Sequence, residues 1–168
     1  YTAFLRMSGG TWDPPHYRFA SKLPFIPTEK ELDDLIAGCG PKTSTFLQLL
    51  KETAVRAGEA DHLLWTDIDF ETGTIRVTPE KGSEPRIFKA SSKLTGMLAD
   101  LRSRSSRKQI FAKDLRTIRK VYEEQRAKIS RKLQNPRLLQ IHFHIFRHWK
   151  ATMLYHQTKD ILYVKEFL

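Results

Sequence analysis

Apolar residues at helical spacing predict two helices in the first third of the chain. The first begins at a capping-box pair, Thr28 and Glu31, and ends at Gly38 and Gly40. Its apolar stripe consists of Leu32, Leu35 and Ile36. The second begins at about Lys42, and its inner face consists of Phe46, Leu47, Leu49, Leu50 and Ala54.

The middle of the chain changes from helical to strand-like patterning after one further helical turn, expected over residues 59–64. Residues with high β propensity are concentrated in three segments, 65–70, 74–78 and 85–90, which predict an antiparallel meander. Helical patterns return in four segments, from Ser91, over residues 114–133, from about His142 to Tyr155, and from Asp160 onward. The sequence therefore predicts an α+β fold, mostly helical, with a small three-stranded antiparallel sheet.

The first 23 residues lack a clear period and contain Gly9, Gly10, Pro14 and Pro15 among aromatic residues. They are interpreted as a linker or as the end of a missing upstream domain. The remaining residues, 24–168, are enough for one domain with a substantial core. A start at Tyr1 rather than at Met suggests a fragment of a longer protein.

The cysteine content and the hydropathy of the chain bear on its compartment. Cys39 is the only cysteine, which excludes an internal disulfide and fits a reducing environment. No apolar run approaches the roughly 20 residues that a membrane helix needs. A cytoplasmic protein without a membrane partner is expected.

The excess positive charge lies in one segment of the chain. Lys and Arg number 29 against 19 Asp and Glu, and residues 101–137 hold thirteen basic residues against three acidic ones. That difference equals the whole formal charge of +10. A nucleic-acid phosphate backbone is the simplest partner for such a segment, and a solvated helix surface is the alternative interpretation. The candidate DNA-binding residues are Arg102, Arg104, Arg107, Lys108, Arg116, Arg119, Lys120, Lys128, Arg131 and Lys132.

Three short stretches carry residue types suited to phosphate chemistry. They are residues 53–59 (TAVRAGE), residues 80–82 (EKG) and residues 144–148 (HIFRH). At these residues the sequence resembles the tyrosine recombinases, the phage-integrase family of site-specific DNA strand-transfer enzymes. The first stretch resembles the family's T-G-x-R-x-x-E segment, the second its K-G turn between two strands, and the third its H-x-x-R-H segment. The resemblance covers nearly the whole chain, from about Pro24 to Leu168.

The resemblance implies four catalytic residues in this chain: Arg56, Lys81, His144 and Arg147. Two guanidinium groups, those of Arg56 and Arg147, would clamp the non-bridging oxygens of the attacked phosphate. Lys81 would protonate the departing 5′-oxygen, and His144 would hydrogen-bond the phosphate or exchange protons with the nucleophile. No metal, nucleotide or other cofactor is implied, since a phosphotyrosine bond conserves the energy of the phosphodiester.

Supporting roles are implied for Glu59, which would orient a clamp arginine, and for His148. Each functional assignment has a plainer alternative. Arg56 could be a surface arginine near a helix end, and Lys81 a turn lysine. The histidines 142, 144, 148 and 156 are spaced as zinc ligands can be, but no carboxylate or cysteine lies among them. Core packing is the interpretation favoured for Phe143, Phe146 and Trp149.

The sequence departs from the family at its end. Family members continue with a Gly-His pair and then the nucleophilic tyrosine, whereas this chain ends at Leu168. Tyr155 and Tyr163 lie too close to Arg147 to match that nucleophile and are expected on the inward faces of their helices. Residues 24–168 are thus interpreted as an incomplete catalytic domain, and residues 1–23 as a linker or a remnant of an upstream DNA-binding domain.

The function expected from the resemblance is that of a DNA integrase or recombinase acting through a 3′-phosphotyrosine intermediate. These 168 residues are expected to bind double-stranded DNA without forming a covalent adduct. A homo-tetramer on two duplexes is expected for the intact parent, and a monomer is compatible with the fragment. The alternatives are a non-catalytic DNA-binding regulator of the same fold, a type IB topoisomerase-like enzyme and, more distantly, a zinc-dependent hydrolase.

Overall fold

The computed structural model describes residues 2–10, 25–80, 84–111 and 114–168. Elements follow in the predicted order of helices, strands and helices. The helices are α1 (Thr2–Met7), α2 (Glu29–Gly38), α3 (Pro41–Thr53), α4 (Ala57–Asp61), α5 (Ser92–Ser103), α6 (Leu115–Lys132), α7 (Phe143–Thr158) and α8 (Ile161–Phe167). The strands are β1 (Ile68–Asp69), β2 (Thr74–Val77) and β3 (Arg86–Lys89). Short 3-10 helices span Trp65–Asp67 and Pro136–Gln140.

Helix α3 lies at the centre of the fold, and all its residues from Thr43 to Lys51 are buried. It packs against α2, α5 and α7. The ring of Phe46 contacts Phe111 and Phe143 edge-on, with centroids 4.9 and 5.1 Å away. Because Phe143 also stacks on Tyr122 of α6, these aromatic rings join α3, α6 and α7 into one core.

The three strands form an antiparallel sheet in the order β1, β2, β3, as predicted. Ile75 of β2 lies opposite Ile68 on one side and Phe88 on the other, and all three are buried. Their neighbours Arg76 and Ile87 are exposed, as the alternation of a half-buried sheet requires. One face of the sheet therefore packs on the helical core.

Side-chain caps begin four of the described helices, and the sequence predicted the first of these caps. Thr28 and Glu31 form the capping box of α2. Ser91, Asp114 and Asp160 accept backbone hydrogen bonds at the starts of α5, α6 and α8. These caps satisfy donors that the first helical turn leaves unpaired.

Three local features differ from the prediction. Residues 65–67, expected in a strand, form a 3-10 turn because the Asp67 carboxylate accepts a hydrogen bond from the Leu64 amide at 2.8 Å. Helix α1 lies within a segment where no period predicted a helix, and residues 11–24 of that segment lie outside the described residues. The 3-10 helix at Pro136–Gln140 was also not predicted.

The expected inward orientation of Tyr155 and Tyr163 is wrong. They are 44% and 45% exposed, because the adjacent residues Leu154 and Val164 occupy the buried positions of α7 and α8. Phe143, Phe146 and Trp149 are buried, as expected for core residues. Within the described ranges, no helix has the length and apolar character needed to cross a membrane.

Candidate active site

The turn between α3 and α4 places Arg56. Ala54 ends α3 in the left-handed conformation, with φ of 55°, and the buried Val55 side chain anchors the next residue. Thr53 stabilises this turn by donating its hydroxyl to the Leu49 carbonyl at 2.7 Å. Arg56 is therefore fixed at the start of α4, with 42% of its side chain exposed.

Glu59 lies directly behind Arg56, and its side chain is fully buried. Its Oε2 accepts from the Arg56 amide at 2.9 Å and its Oε1 from Arg56 Nη1 at 3.1 Å. Burial alone would raise the pKa of this carboxyl, but the Arg56 amide and the charge of Arg86 hold the pKa below its usual range. Glu59 is thus an ionised carboxylate that contacts Arg56.

Helix α7 brings the H-x-x-R residues to the same place. The helix begins at Phe143, directly after His142, so His144 and Arg147 both lie in its first two turns. Arg147 Nη1 donates to the Ala54 carbonyl at 2.8 Å, and its Nη2 donates to the Leu168 carbonyl. The second arginine is therefore bound to the turn that carries the first.

Arg56, His144 and Arg147 line one cavity of about 360 Å³. Helix α6 forms the facing wall, to which it contributes Arg119, Tyr122 and Arg126 among others. Four cationic side chains thus surround a single concave space. Such a space is suited to an anion with several oxygen atoms, and guanidinium groups can donate paired hydrogen bonds to it.

Burial and neighbouring charges in the site favour the neutral form of His144. Partial burial lowers the pKa of His144, and His148 and Arg147 lower it further. Burial also lowers the pKa of Arg147, as do its neighbours Arg56 and Arg86. A neutral imidazole beside two guanidinium groups can accept a proton or a hydrogen bond.

The remaining predicted site residues lie in different places. The His148 ring packs edge-on against His144, with centroids 4.5 Å apart, and faces a neighbouring cavity. Lys81 lies outside the described residues, although Glu80, just before it, is in the described part. In the described ranges, no group of three His, Cys, Asp or Glu side chains is arranged to hold a metal ion.

Tyr122 is the described tyrosine that lines the cavity. It is 1% exposed, and its hydroxyl donates to the Ile141 carbonyl at 2.7 Å. Burial raises the pKa of this phenol. The hydroxyl is therefore engaged in the core and poorly suited to act as a nucleophile.

The ten candidate DNA-binding residues are all exposed but do not form one continuous face. Arg102 lies over the Phe70 ring beside the sheet, and Arg104 pairs with Asp100. Arg107 and Lys108 follow α5 in a loop. On α6, Arg119 lines the cavity, whereas Lys128 and Lys132 line a groove beside α2. The exposed residues Arg116, Lys120 and Arg131 complete the α6 set.

Two arginines of this region were not among the predicted site residues. Arg126 lines the cavity and donates to the Ile141 carbonyl at 2.6 Å. Arg126 follows Arg119 by seven residues, with Tyr122 between them. This spacing in the sequence indicates that the three side chains lie on one face of a helix. Arg86 contacts Glu59 at 2.7 Å. In the sequence, Arg86 lies two residues before Phe88 in a predicted strand, and this alternation indicates that both side chains lie on the same face of the sheet.

The sequence model that matches this chain is that of the phage integrase family, over residues 27–168. The chain belongs to the phage integrase family. The match includes all four arginines of the cavity, the strands and helices α2 to α8. A comparison with curated proteins gave no match.

Solved structures of recombinases share the fold of this phage integrase family member. XerA recombinase has a TM-score of 0.70 and 20% identity, over 88% of this chain and 56% of that one. XerH site-specific recombinase, solved bound to its difH substrate, has a TM-score of 0.68 and 19% identity, over 93% of this chain and 50% of that one. The present chain therefore spans about half the length of these proteins.

The catalytic domain of bacteriophage HP1 integrase is a shorter neighbour. Its TM-score is 0.61 at 22% identity, with 85% of this chain and 79% of that chain covered. The similarity thus extends over most of an isolated catalytic domain of this family.

Proposed function

We propose that this chain is the catalytic domain of a site-specific DNA integrase or recombinase. The observation that carries the proposal is the convergence of Arg56, His144 and Arg147 on one cavity, with the buried carboxylate of Glu59 behind Arg56. Residues 24–168 would form this domain, and residues 1–23 would link it to a further DNA-binding region.

In the proposed reaction, a tyrosine oxygen attacks a phosphorus atom of the DNA backbone. A P–O bond to tyrosine forms while the bond to the 5′-oxygen breaks, and a 3′-phosphotyrosine results. Arg56 and Arg147 would stabilise the charge on the non-bridging oxygens. Lys81 would give a proton to the 5′-oxygen, and neutral His144 would accept a hydrogen bond or a proton. Attack by another 5′-hydroxyl reverses these steps and rejoins the strands.

Double-stranded DNA is the proposed partner. The charge of +10 and the cationic cavity support it, because binding to a polyanion releases its counterions. XerH was solved bound to its difH substrate, which gives a precedent on the same fold. For the intact parent we propose four copies on two duplexes, and for these 168 residues a monomer, which sedimentation velocity with and without DNA would test.

The DNA-binding experiment measures the anisotropy of a labelled duplex against protein concentration at several salt concentrations. We expect the affinity to fall steeply as salt rises and Arg56→Gln to weaken binding about tenfold. Lys89→Gln is the matched control, since it removes one positive charge from the exposed face of β3, outside the cavity lining. An equal effect of the two substitutions would favour a DNA-binding regulator, and a wild-type chain without salt-dependent binding would refute the proposal.

A denaturing gel tests the absence of cleavage by these 168 residues. Of the three tyrosines that the structure describes, Tyr122 is engaged in the core, and Tyr155 and Tyr163 do not line the cavity. We therefore expect labelled DNA to be released completely from the protein on denaturation. Retained label would contradict this expectation, and Tyr→Phe variants would then identify the nucleophile.

A further inference from the structure

A second cavity lies beside the candidate active site and shares part of its wall. It has a volume of about 510 Å³. Glu123, Arg126 and His142 line both cavities. The other described residues that line the second cavity are Phe25, Leu139, Gln140, Ile145 and His148. The two spaces therefore meet where the second half of α6 faces the start of α7.

The lining of the second cavity combines one strong cation with polar and apolar side chains. Within the described part of the chain, Arg126 is the arginine or lysine that lines it. Gln140 and His142 add polar groups, whereas Phe25 and Leu139 add apolar surface. This mixture suits a sugar-phosphate unit, in which an anion is joined to the carbon skeleton of a deoxyribose.

Arg126 has hydrogen-bonding capacity that its protein partners leave unused. Its Nη1 donates to the Ile141 carbonyl at 2.6 Å, and its guanidinium interacts with the ring and the hydroxyl of Tyr122. Its Nε is buried and has no hydrogen-bond partner among the residues that the structure describes. In the same ranges no carboxylate forms an ion pair with it, that of Glu123 included. A ligand that supplies an acceptor would therefore stabilise this charged group.

The first cavity has enough arginine to bind one phosphate without Arg126. A phosphodiester has two non-bridging oxygens, and Arg56 and Arg147 are the groups proposed to bind them. Arg119 also lines that cavity and does not line the second one. Consecutive phosphates of one strand follow each other about every 3.4 Å along the duplex axis. A strand with one phosphate in the first cavity therefore brings a neighbouring phosphate to the shared wall.

We propose that Arg126 binds a second phosphate of the same DNA strand, next to the phosphate in the cavity of Arg56 and Arg147. The second cavity takes this phosphate with its deoxyribose, beside Gln140 and His142. Because two consecutive phosphates are then bound, the path of the strand through the site is fixed as well as its position. This inference rests on the proposed function, since it takes the first cavity as a phosphate site.

Titration of the protein with two nucleotides tests the inference. Thymidine 3′-phosphate carries one phosphate, and thymidine 3′,5′-bisphosphate carries both phosphates of one nucleotide unit. We expect the wild-type chain to bind the bisphosphate about tenfold more tightly, measured from the proton and nitrogen chemical shifts of its amides. Arg126→Gln should reduce this preference to about twofold or less. Arg76→Gln, which removes an exposed arginine of β2 outside both cavity linings, should keep the wild-type preference.

The ratio of the two affinities distinguishes phosphate binding from a structural role of Arg126. If Arg126 acted only by holding the Ile141 carbonyl, its loss would weaken both nucleotides equally. An equal loss, or no loss, in Arg126→Gln would therefore overturn the inference. A wild-type chain that binds the two nucleotides equally, or binds neither, would also overturn it. Arg126→Lys keeps the charge and should keep a preference of several-fold.

The wild-type chain gives a second readout, which covers the case in which Arg126→Gln fails to fold. The Nε–H signal of Arg126 should shift on addition of the bisphosphate and much less on addition of the monophosphate. A signal that responds equally to both nucleotides, or to neither, would overturn the inference without any variant.

Arg56→Gln separates this inference from the proposed function. It should weaken both nucleotides about tenfold and leave their ratio unchanged. If it does so while Arg126→Gln affects both nucleotides equally, the proposed function stands and the inference about Arg126 fails. If Arg56→Gln changes neither affinity and duplex binding lacks salt dependence, the proposed function fails, and the inference fails with it.

Discussion

The guanidinium of Arg147 donates a 2.8 Å hydrogen bond to the carbonyl of Ala54, 93 residues earlier in the chain. Ala54 ends α3 and is followed two residues later by Arg56. One hydrogen bond therefore sets the separation between the two arginines proposed to hold a phosphate. The family pattern has glycine at the position of Ala54, and its φ of 55° is a conformation that glycine adopts without strain.

Arg147→Lys is expected to lower both stability and DNA affinity although it keeps the charge. A single ammonium group lacks the planar fork that reaches the Ala54 and Leu168 carbonyls together. We expect a loss of about 1–2 kcal/mol in the free energy of unfolding, measured by urea denaturation, and about tenfold weaker DNA binding. Arg76→Lys, at an exposed position of β2, should change neither quantity measurably. If Arg147→Lys kept the wild-type free energy of unfolding and DNA affinity, the two main-chain hydrogen bonds of Arg147 would not be what positions it.

The two sides of α6 are expected to contribute differently to DNA binding. Arg119 lines the cavity with Arg56 and Arg147, whereas Lys128 lines the groove beside α2. Arg119→Gln should weaken binding and reduce the slope of log affinity against log salt by about 1, the effect of losing one phosphate contact. Lys128→Gln should have a smaller effect in the same anisotropy titration. Equal slopes for the two variants would mean that DNA covers both sides of the helix.

Glu31 is expected to make stability depend on acid pH. A side-chain hydrogen bond from Arg137 is the main cause that lowers the pKa of Glu31 to about 2, against opposition from burial. The Thr28 amide and Asn135 also donate to this carboxylate. Because the folded pKa is lowered, the stabilisation is complete above the ordinary pKa of 4.5 and is lost as the pH falls from there to about 2.

Glu31→Gln tests this linkage by urea denaturation between pH 7 and pH 2. We expect the free energy of unfolding of the variant to be about 2 kcal/mol lower than that of the wild type at pH 7. The exposure of Arg137 to solvent limits the size of this difference, which should vanish towards pH 2. Asp34→Asn, in the exposed pair with Lys30, should cost less than about 0.5 kcal/mol. A difference that stays constant with pH would refute the Glu31 assignment.

Two glycines are expected to respond differently to alanine. A Cβ at Gly96 of α5 would meet nothing within 4 Å, so Gly96→Ala should stabilise the protein by about 0.5–1 kcal/mol through helix propensity. A Cβ at Gly58 of α4 would lie 2.5 Å from Glu80 Oε2, so the Glu80 carboxylate would have to leave its 3.0 Å contact with His62. Gly58→Ala should therefore gain nothing. Thermal unfolding of both variants measures this, and an equal gain would contradict the close packing at Gly58.

The features that the sequence predicted are those governed by neighbouring residues. The capping box of Thr28 and Glu31 depends on residues three positions apart, and the sheet on short alternating segments. The 3-10 turn at Trp65–Asp67 was missed because a single side-chain hydrogen bond, from the Leu64 amide to Asp67, outweighs the β propensity of the segment.

The site was predicted in part, since motif residues can be identified individually but their partners cannot. Arg56, Glu59, His144 and Arg147 lie together as the motifs implied. The contact between Arg86 and Glu59 depends on which face of β3 points inward, and that is fixed by packing across the whole sheet. Net charge likewise identified the α6 segment but not the two sides on which Arg119 and Lys128 lie.

The long sequence separation of the Arg147–Ala54 contact also affects how the protein is made. A ribosome releases Arg56 and the sheet well before α7, and the basic helix α6 directly before it. A nascent chain can therefore attract nucleic acid through α6 while it still lacks the second arginine of the clamp. The contact of α7 with α3 is non-local in sequence, so it can form only after α7 has been synthesised. The cavity that Arg56 and Arg147 line is consequently completed only after α7 has been synthesised.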